Sequence, residues 1–182
     1  IRDSLKFVHE LGHGIAVRKF GGAVPEWGVQ LLLFITPLTY VDASESWRMK
    51  QRIQRIITAA AGMYIELMFG AIAALIWANT EPGLLNTACH HAVLAASVVT
   101  ILFNANPLMR FDGYYIMSDL LGITNLGKKG QDFLKWFAGR HLLGLKNRPY
   151  PDGARKNPVL VPVYGVAAGI WKIIICLLYT SD

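Results

Sequence analysis

Cysteine and charge are both scarce in this chain, and each scarcity closes a route. There are two cysteines in 182 residues. Cys89 and Cys176 lie far apart in apolar surroundings and match no C-x-x-C spacing, which argues against a disulfide framework or thiolate zinc and leaves free thiols. Charged residues make up 16% of the chain, where soluble domains carry about a quarter. Aromatic-basic interleaving and recognisable nucleic-acid modules are absent, so no nucleic-acid partner is expected. An initiating Met and a signal-peptide pattern are absent too. The last residues, Cys176 to Asp182, resemble translated adapter sequence, and the chain is expected to be a fragment cut at both ends.

What is abundant is apolar: 53% of residues are hydrophobic, and mean hydropathy is +0.36. The run Ile56 to Ala78 has Glu66 as its one charge, and as a helix it would reach about 34 Å, enough to cross a bilayer core. Leu84 to Phe103 forms a second run, and Val159 to Tyr179 a third, broken by Pro162 and Lys172. Gly62, Gly70 and the alanines around them suit close helix packing. The expected fold is therefore an all-α polytopic membrane protein, a helical bundle. Near residues 29–41 a short strand or membrane-dipping hairpin interrupts it, because Val29 to Ile35 is too short to span and lies between Pro25 and Pro37.

The net charge of +6 is unevenly spread. Arg48, Lys50, Arg52 and Arg55 precede the first span, and residues 104–158 hold Arg110, Lys128, Lys129, Lys135, Arg140, Lys146, Arg148, Arg155 and Lys156. The turn at 79–86 has no Lys or Arg. The positive-inside rule puts both basic segments in the cytoplasm and the turn outside. The expected organisation is a membrane-embedded core over 1–127, a basic cytoplasmic loop over 128–158 and a C-terminal span over 159–179. The core contains a motif helix at 3–20, spans at 56–78 and 84–103, and an Asp-Gly segment at 104–121. The location expected is a bacterial cytoplasmic membrane.

The motif helix carries His9-Glu10-Leu11-Gly12-His13, an H-E-x-x-H pattern. On a helix the two histidines share a face and can reach one zinc ion, while Glu10 stands beside it to take a proton from water that zinc acidifies to a pKa of about 7. Asp3-Ser4 offers an N-cap, and Gly21-Gly22 a stop. The competing reading is two exposed histidines on an amphipathic helix. A catalytic zinc needs a third ligand, and Asp112, followed by Gly113 at the cytoplasmic end of the second span, would supply a carboxylate at the level of the motif helix. Asp42 and Asp119 are rivals without the Asp-Gly context.

Asn104-Ala105-Asn106-Pro107-Leu108-Met109-Arg110-Phe111-Asp112-Gly113 completes a pattern. With the pentad, it resembles the site-2 protease family of intramembrane zinc metalloproteases, which pairs H-E-x-x-H with N-x-x-P-x-x-x-L-D-G on a later helix. Phe111 stands where leucine is usual. Phe103 to Tyr115, Pro37 to Asp42 and Ala60 to Met63 resemble a bacterial branch of peptide zinc metalloproteases, over roughly residues 5–121. The resemblance implies zinc as cofactor, ligated by His9, His13 and Asp112. It implies general-base work by Glu10, with Asn104 positioning substrate or stabilising the oxyanion. The implied partners are a membrane-anchored protein or peptide substrate and the lipid bilayer.

Glu66 is costly at a membrane centre and marks a functional candidate. It is expected first as a polar contact within the bundle and second as a partner of a histidine ligand. His90 and His91 belong to the opposite membrane face and are expected to be interfacial, as are Tyr114, Tyr115 and Trp136. The function expected is an intramembrane zinc endopeptidase, with strand addition along 29–35 as a way to hold substrate. A buried structural strand is the competing reading there. The rival function is a non-proteolytic membrane component of a peptide export or efflux assembly, with export-system subunits as partners and a structural or vestigial metal.

Overall fold

A computed structural model of the chain describes residues 2–32, 36–141, 144 and 149–180. Helix α1 (Arg2–Lys19) leads into a hairpin of β1 (Trp27–Leu32) and β2 (Thr36–Val41), and a 3-10 turn at Ser44–Arg48 follows. Helix α2 spans Arg52–Ala78, and α3 (Leu84–Leu94) continues as a π-helix over Ala95–Asn104. Then come α4 (Asp112–Leu121), α5 (Leu126–His141), α6 (Asp152–Lys156) and α7 (Leu160–Thr180). The fold is that of an all-α membrane protein with one small antiparallel hairpin. Among the described residues, three stretches are long and apolar enough to cross a membrane: Arg52–Ala78, Leu84–Asn104 and Leu160–Leu178. Their large side chains, such as Tyr64, Leu75, Ile101 and Leu177, are exposed, as a lipid-facing surface requires. The chain forms two compact units, Ile1–Pro107 with Phe111–Leu120, and Leu108–Arg110 with Leu121–Asp182.

In the first unit, α1 buries Leu5, His9, Gly12, His13, Ala16 and Val17, the spacing of one helical face. That face meets α2, whose buried residues are Thr58, Gly62, Glu66 and Gly70, each four apart. The two helices touch almost backbone to backbone: a Cβ on Gly12 would lie 2.7 Å from the Ala61 carbonyl oxygen. Larger residues at this crossing would push the histidines away from α2. Gly70 plays the same part against Ala96, where a Cβ would come within 2.7 Å of the alanine methyl.

Helix α1 ends as Gly21-Gly22 foretells. Gly21 has φ +82°, its N–H bonds to the Arg18 carbonyl at 3.1 Å, and the Gly22 N–H bonds to the Val17 carbonyl at 3.0 Å, a Schellman stop. The proposed cap at Asp3-Ser4 is corrected, because the helix already includes Arg2 and both residues lie inside it. The hairpin pairs Trp27 with Val41 through to Leu32 with Thr36; the part of the expected strand at 33–35 lies outside the described residues. On β1, Trp27, Val29 and Leu31 are exposed, which contradicts the buried-strand reading.

In the second unit, α5 packs along α7 through Gly130 and Gly165, where a Cβ on Gly165 would sit 2.7 Å from the Gly130 carbonyl oxygen. The connecting segment read as a basic loop thus carries two helices, α5 and α6; Lys146 and Arg148 lie outside the described residues, as do Ser181 and Asp182.

Candidate metal centre

The spacing of His9 and His13 on α1 sends both rings toward α2, and α2 fixes each of them. The His9 Nδ1–H donates to Glu66 Oε2 at 2.8 Å, and the His13 Nδ1–H donates to the Thr58 carbonyl at 2.8 Å. A carbonyl can only accept, so His13 carries its hydrogen on Nδ1 and presents the Nε2 lone pair; an ionised Glu66 imposes the same tautomer on His9. The two Nε2 atoms face each other at 3.1 Å. Asp112, at the start of α4, closes the third side: Oδ2 is 3.0 Å from His9 Nε2 and Oδ1 is 3.4 Å from His13 Nε2.

Three electron-pair donors converging in this way repel one another unless a cation stands between them. The spacing fits zinc: ligands about 2.0–2.1 Å from a tetrahedral ion lie about 3.3 Å from one another. His9 is 7% exposed and His13 9%, so the donors are shielded from bulk water. The backbone of Gly62 forms the floor, where a Cβ would come 2.5 Å from His13 Nε2 and 2.7 Å from His9 Nε2. Among the described residues, His9, His13 and Asp112 form the group able to hold a metal ion.

The electrostatics report the same convergence. Burial pulls the His9 imidazole down, but hydrogen bonds to Asp112 and Glu66 outweigh it and take its pKa up to about 9. His13 rises for like reasons, burial being outweighed by Asp112 and the Thr58 carbonyl. Burial raises Asp112, yet the two histidines hold it below the ordinary carboxylate range. Without a metal, protons bridge the three groups. Glu10 is raised by burial, against the opposing pull of His13 and His9, and its carboxylate accepts the backbone N–H of Val41 on β2. A raised carboxylate beside a metal group is suited to taking and returning a proton.

A cavity of about 280 Å³ opens beside His13 and Asp112, lined also by Asp42, Trp47, Arg55, Tyr115 and Asp119. The rival carboxylates are engaged elsewhere. The Ser44 hydroxyl, and then the Ser44 N–H, which donates to Asp42 Oδ1 at 2.9 Å, hold the Asp42 carboxyl below the ordinary range. Asp119 Oδ1 accepts from Arg55 Nη2 at 2.7 Å and Nε at 2.9 Å. Trp47 and Tyr115 meet edge to face at 5.3 Å.

One expectation is sharpened and one corrected. Glu66, 5% exposed, makes a buried polar contact within the bundle as expected, and the residue it meets is His9, a candidate ligand. The signal was present, since Thr58, Gly62 and Glu66 recur at one helical spacing, but which helix that stripe faces is decided by tertiary packing. Tyr114 is buried rather than interfacial, because Gly113 lets α4 start against the Ala105 carbonyl, where any Cβ would collide. Asn104 stands with its amide nitrogen 3.5 Å from Glu66 Oε2, at the outer limit of a hydrogen bond. His90 stacks near Trp77 at 5.1 Å and near His91 at 5.7 Å.

Among known proteins, the chain is similar to one from Bacillus subtilis (strain 168) named "Putative peptide zinc metalloprotease protein YydH". The two are 29% identical over 121 residues, 66% of this chain and 46% of that protein. The chain thus spans about half the length of the relative it matches. No family model matches the chain, and no solved structure does.

Proposed function

We propose that this chain is the catalytic membrane portion of a zinc endopeptidase of the site-2 type, cleaving a peptide bond in or next to a membrane segment. The observation that carries the reading is the convergence of His9, His13 and Asp112 at 3.0–3.4 Å with Glu10 beside them on the same helix. The name of the Bacillus subtilis relative and the three apolar helices agree with it. The basic residues before α2 and after Asn104 favour a site near the cytoplasmic face.

His9, His13 and Asp112 would hold zinc, which when bound supplies Lewis acidity and water acidified to neutrality. Glu10 takes the proton of the attacking water and returns it to the leaving amine. Glu66 and Thr58 keep both imidazoles in the ligating tautomer. Asn104, through its contact with Glu66, steadies that carboxylate, and its oxyanion role belongs to the same proposal. Substrate must be extended for its carbonyl to reach the site. Among the described residues β1 pairs with β2 alone, so its outer edge is available for strand addition.

Glu10→Gln tests the mechanism. The variant should bind zinc as the parent does and lose cleavage of a membrane-anchored reporter by at least about 100-fold. Cleavage that persists in Glu10→Gln removes the general base from the account. Zinc binding without any Glu10-dependent cleavage would favour the export-assembly reading instead.

A further inference from the structure

The second unit holds a cavity of about 700 Å³ with a chemistry unlike that of the metal centre. It lies between α5 and α7 and beside Leu108–Arg110, and it includes Gln131, Leu134, Gly169, Trp171 and Lys172. Along α7 its walls recur from Tyr164 to Cys176 at the spacing of one face, about 18 Å of helix. Gly165 and Gly169 bring α5 close on one side of that face, and Leu134, Ala168 and Ile175 give the cavity apolar walls.

The charged groups at this cavity are of one sign. Among the described residues Arg110 and Lys172 are its cations, and no carboxylate lines it. Trp171 adds an indole N–H that is buried with no acceptor among the described residues. Lys172 is exposed and has no ion pair among the described residues, although it stands inside a helix long and apolar enough to span a membrane. It lies about 18 Å along the helix from Leu160 and about 12 Å from Thr180, well inside both ends for a side chain that must reach water. An ammonium and a buried N–H left without acceptors within a span are each costly.

We propose that this cavity binds an anionic membrane phospholipid, its acyl chain against Leu134, Ala168 and Ile175 and its phosphate on Arg110, Lys172 and the Trp171 N–H. A phosphate can accept from all three groups, and basic pockets beside membrane helices recognise such headgroups. A zwitterionic lipid brings the same phosphate with a compensating cation, which two basic side chains disfavour. The inference stands on the second unit alone and does not depend on the metal centre.

The test uses the full chain in phosphatidylcholine nanodiscs containing brominated-acyl phosphatidylglycerol or, in parallel, brominated-acyl phosphatidylcholine at equal mole fraction. The Trp171 contribution is read as the difference between parent and Trp171→Phe fluorescence. Quenching by the anionic lipid should be half-complete at a mole fraction at least threefold lower than for the zwitterionic one. Arg110→Gln with Lys172→Gln should erase the difference, whereas Lys172→Arg, which keeps the charge, should retain it. Equal quenching of the parent by both lipids, the outcome expected if a peptide occupies the cavity, overturns the proposal. So does a preference that survives the double variant in a protein with parental helix content.

Discussion

Helices α2 and α7 each carry one charged residue within an apolar stretch, and the two charges have opposite fates. Glu66 is buried and receives the His9 N–H at 2.8 Å. Lys172 is exposed and has no ion-pair partner among the described residues. In α2 the glycine one turn before the charge, Gly62, admits the imidazoles of α1. In α7 the glycines Gly165 and Gly169 receive α5, at Gly130 and Leu134, and Lys172 lines the cavity beside them. A lone charge in an apolar helix therefore does not by itself say what it serves; glycines around both charges admit a neighbouring helix, and it is the side chains that helix brings that differ.

The sharpest way to break this contrast is to fill the floor of the metal centre. Gly62→Val should abolish stoichiometric zinc binding, because side-chain atoms would occupy the space that both Nε2 atoms face. Zinc content measured beside helix content by circular dichroism checks it, and a folded variant with one zinc per chain would refute the placement. Glu66→Ala comes next: with the His9 N–H unpaired, zinc affinity should fall about 10–100-fold, and Glu66→Gln, whose amide oxygen can still accept, should fall less. A chelator competition titration reads both.

A pH series gives a smaller effect of definite sign. The His9 pKa stands at about 9, above its ordinary 6.5, so zinc must displace a proton below pH 9. Apparent affinity should strengthen as pH rises from about 6.5 and level off near 9, and a flat profile would contradict the proton-sharing cluster. The metal-free protein should behave oppositely. The stabilisation from protonated His9 is complete below pH 6.5 and lost as pH rises through about 9, a trend that thermal unfolding follows. The smallest effect sharpens the comparison from its other side: Lys172 belongs to the other compact unit, and Lys172→Gln should leave zinc affinity within about twofold.

Much of the candidate site was legible in the sequence, because its candidate ligands come from local patterns. The pentad spacing aims two imidazoles to one side, and the Asp112-Gly113 pair marks a tight start to a helix. The end of α1 was legible for the same reason, since Gly21-Gly22 is a local stop. What was not legible depends on contacts across the chain. Glu66 lies 57 residues from His9, and only the packing of α1 on the Thr58–Gly62–Glu66 stripe brings them together. The switch from α-helix to π-helix at Ala95 leaves no hydrophobic signature, because both conformations suit the same apolar run. Tyr114 was misplaced because an aromatic beside a membrane motif resembles an interfacial residue until Gly113 is seen drawing α4 inward.

X-ray absorption at the zinc edge, on the purified chain loaded with one equivalent of zinc, tests the central claim most directly. A nitrogen and oxygen shell at about 2.0–2.1 Å is expected, with the multiple scattering of two imidazoles, and it should be lost in a His9→Ala variant. A sulfur shell at about 2.3 Å, pointing to Cys89 or Cys176, or a spectrum unchanged by His9→Ala, would contradict it.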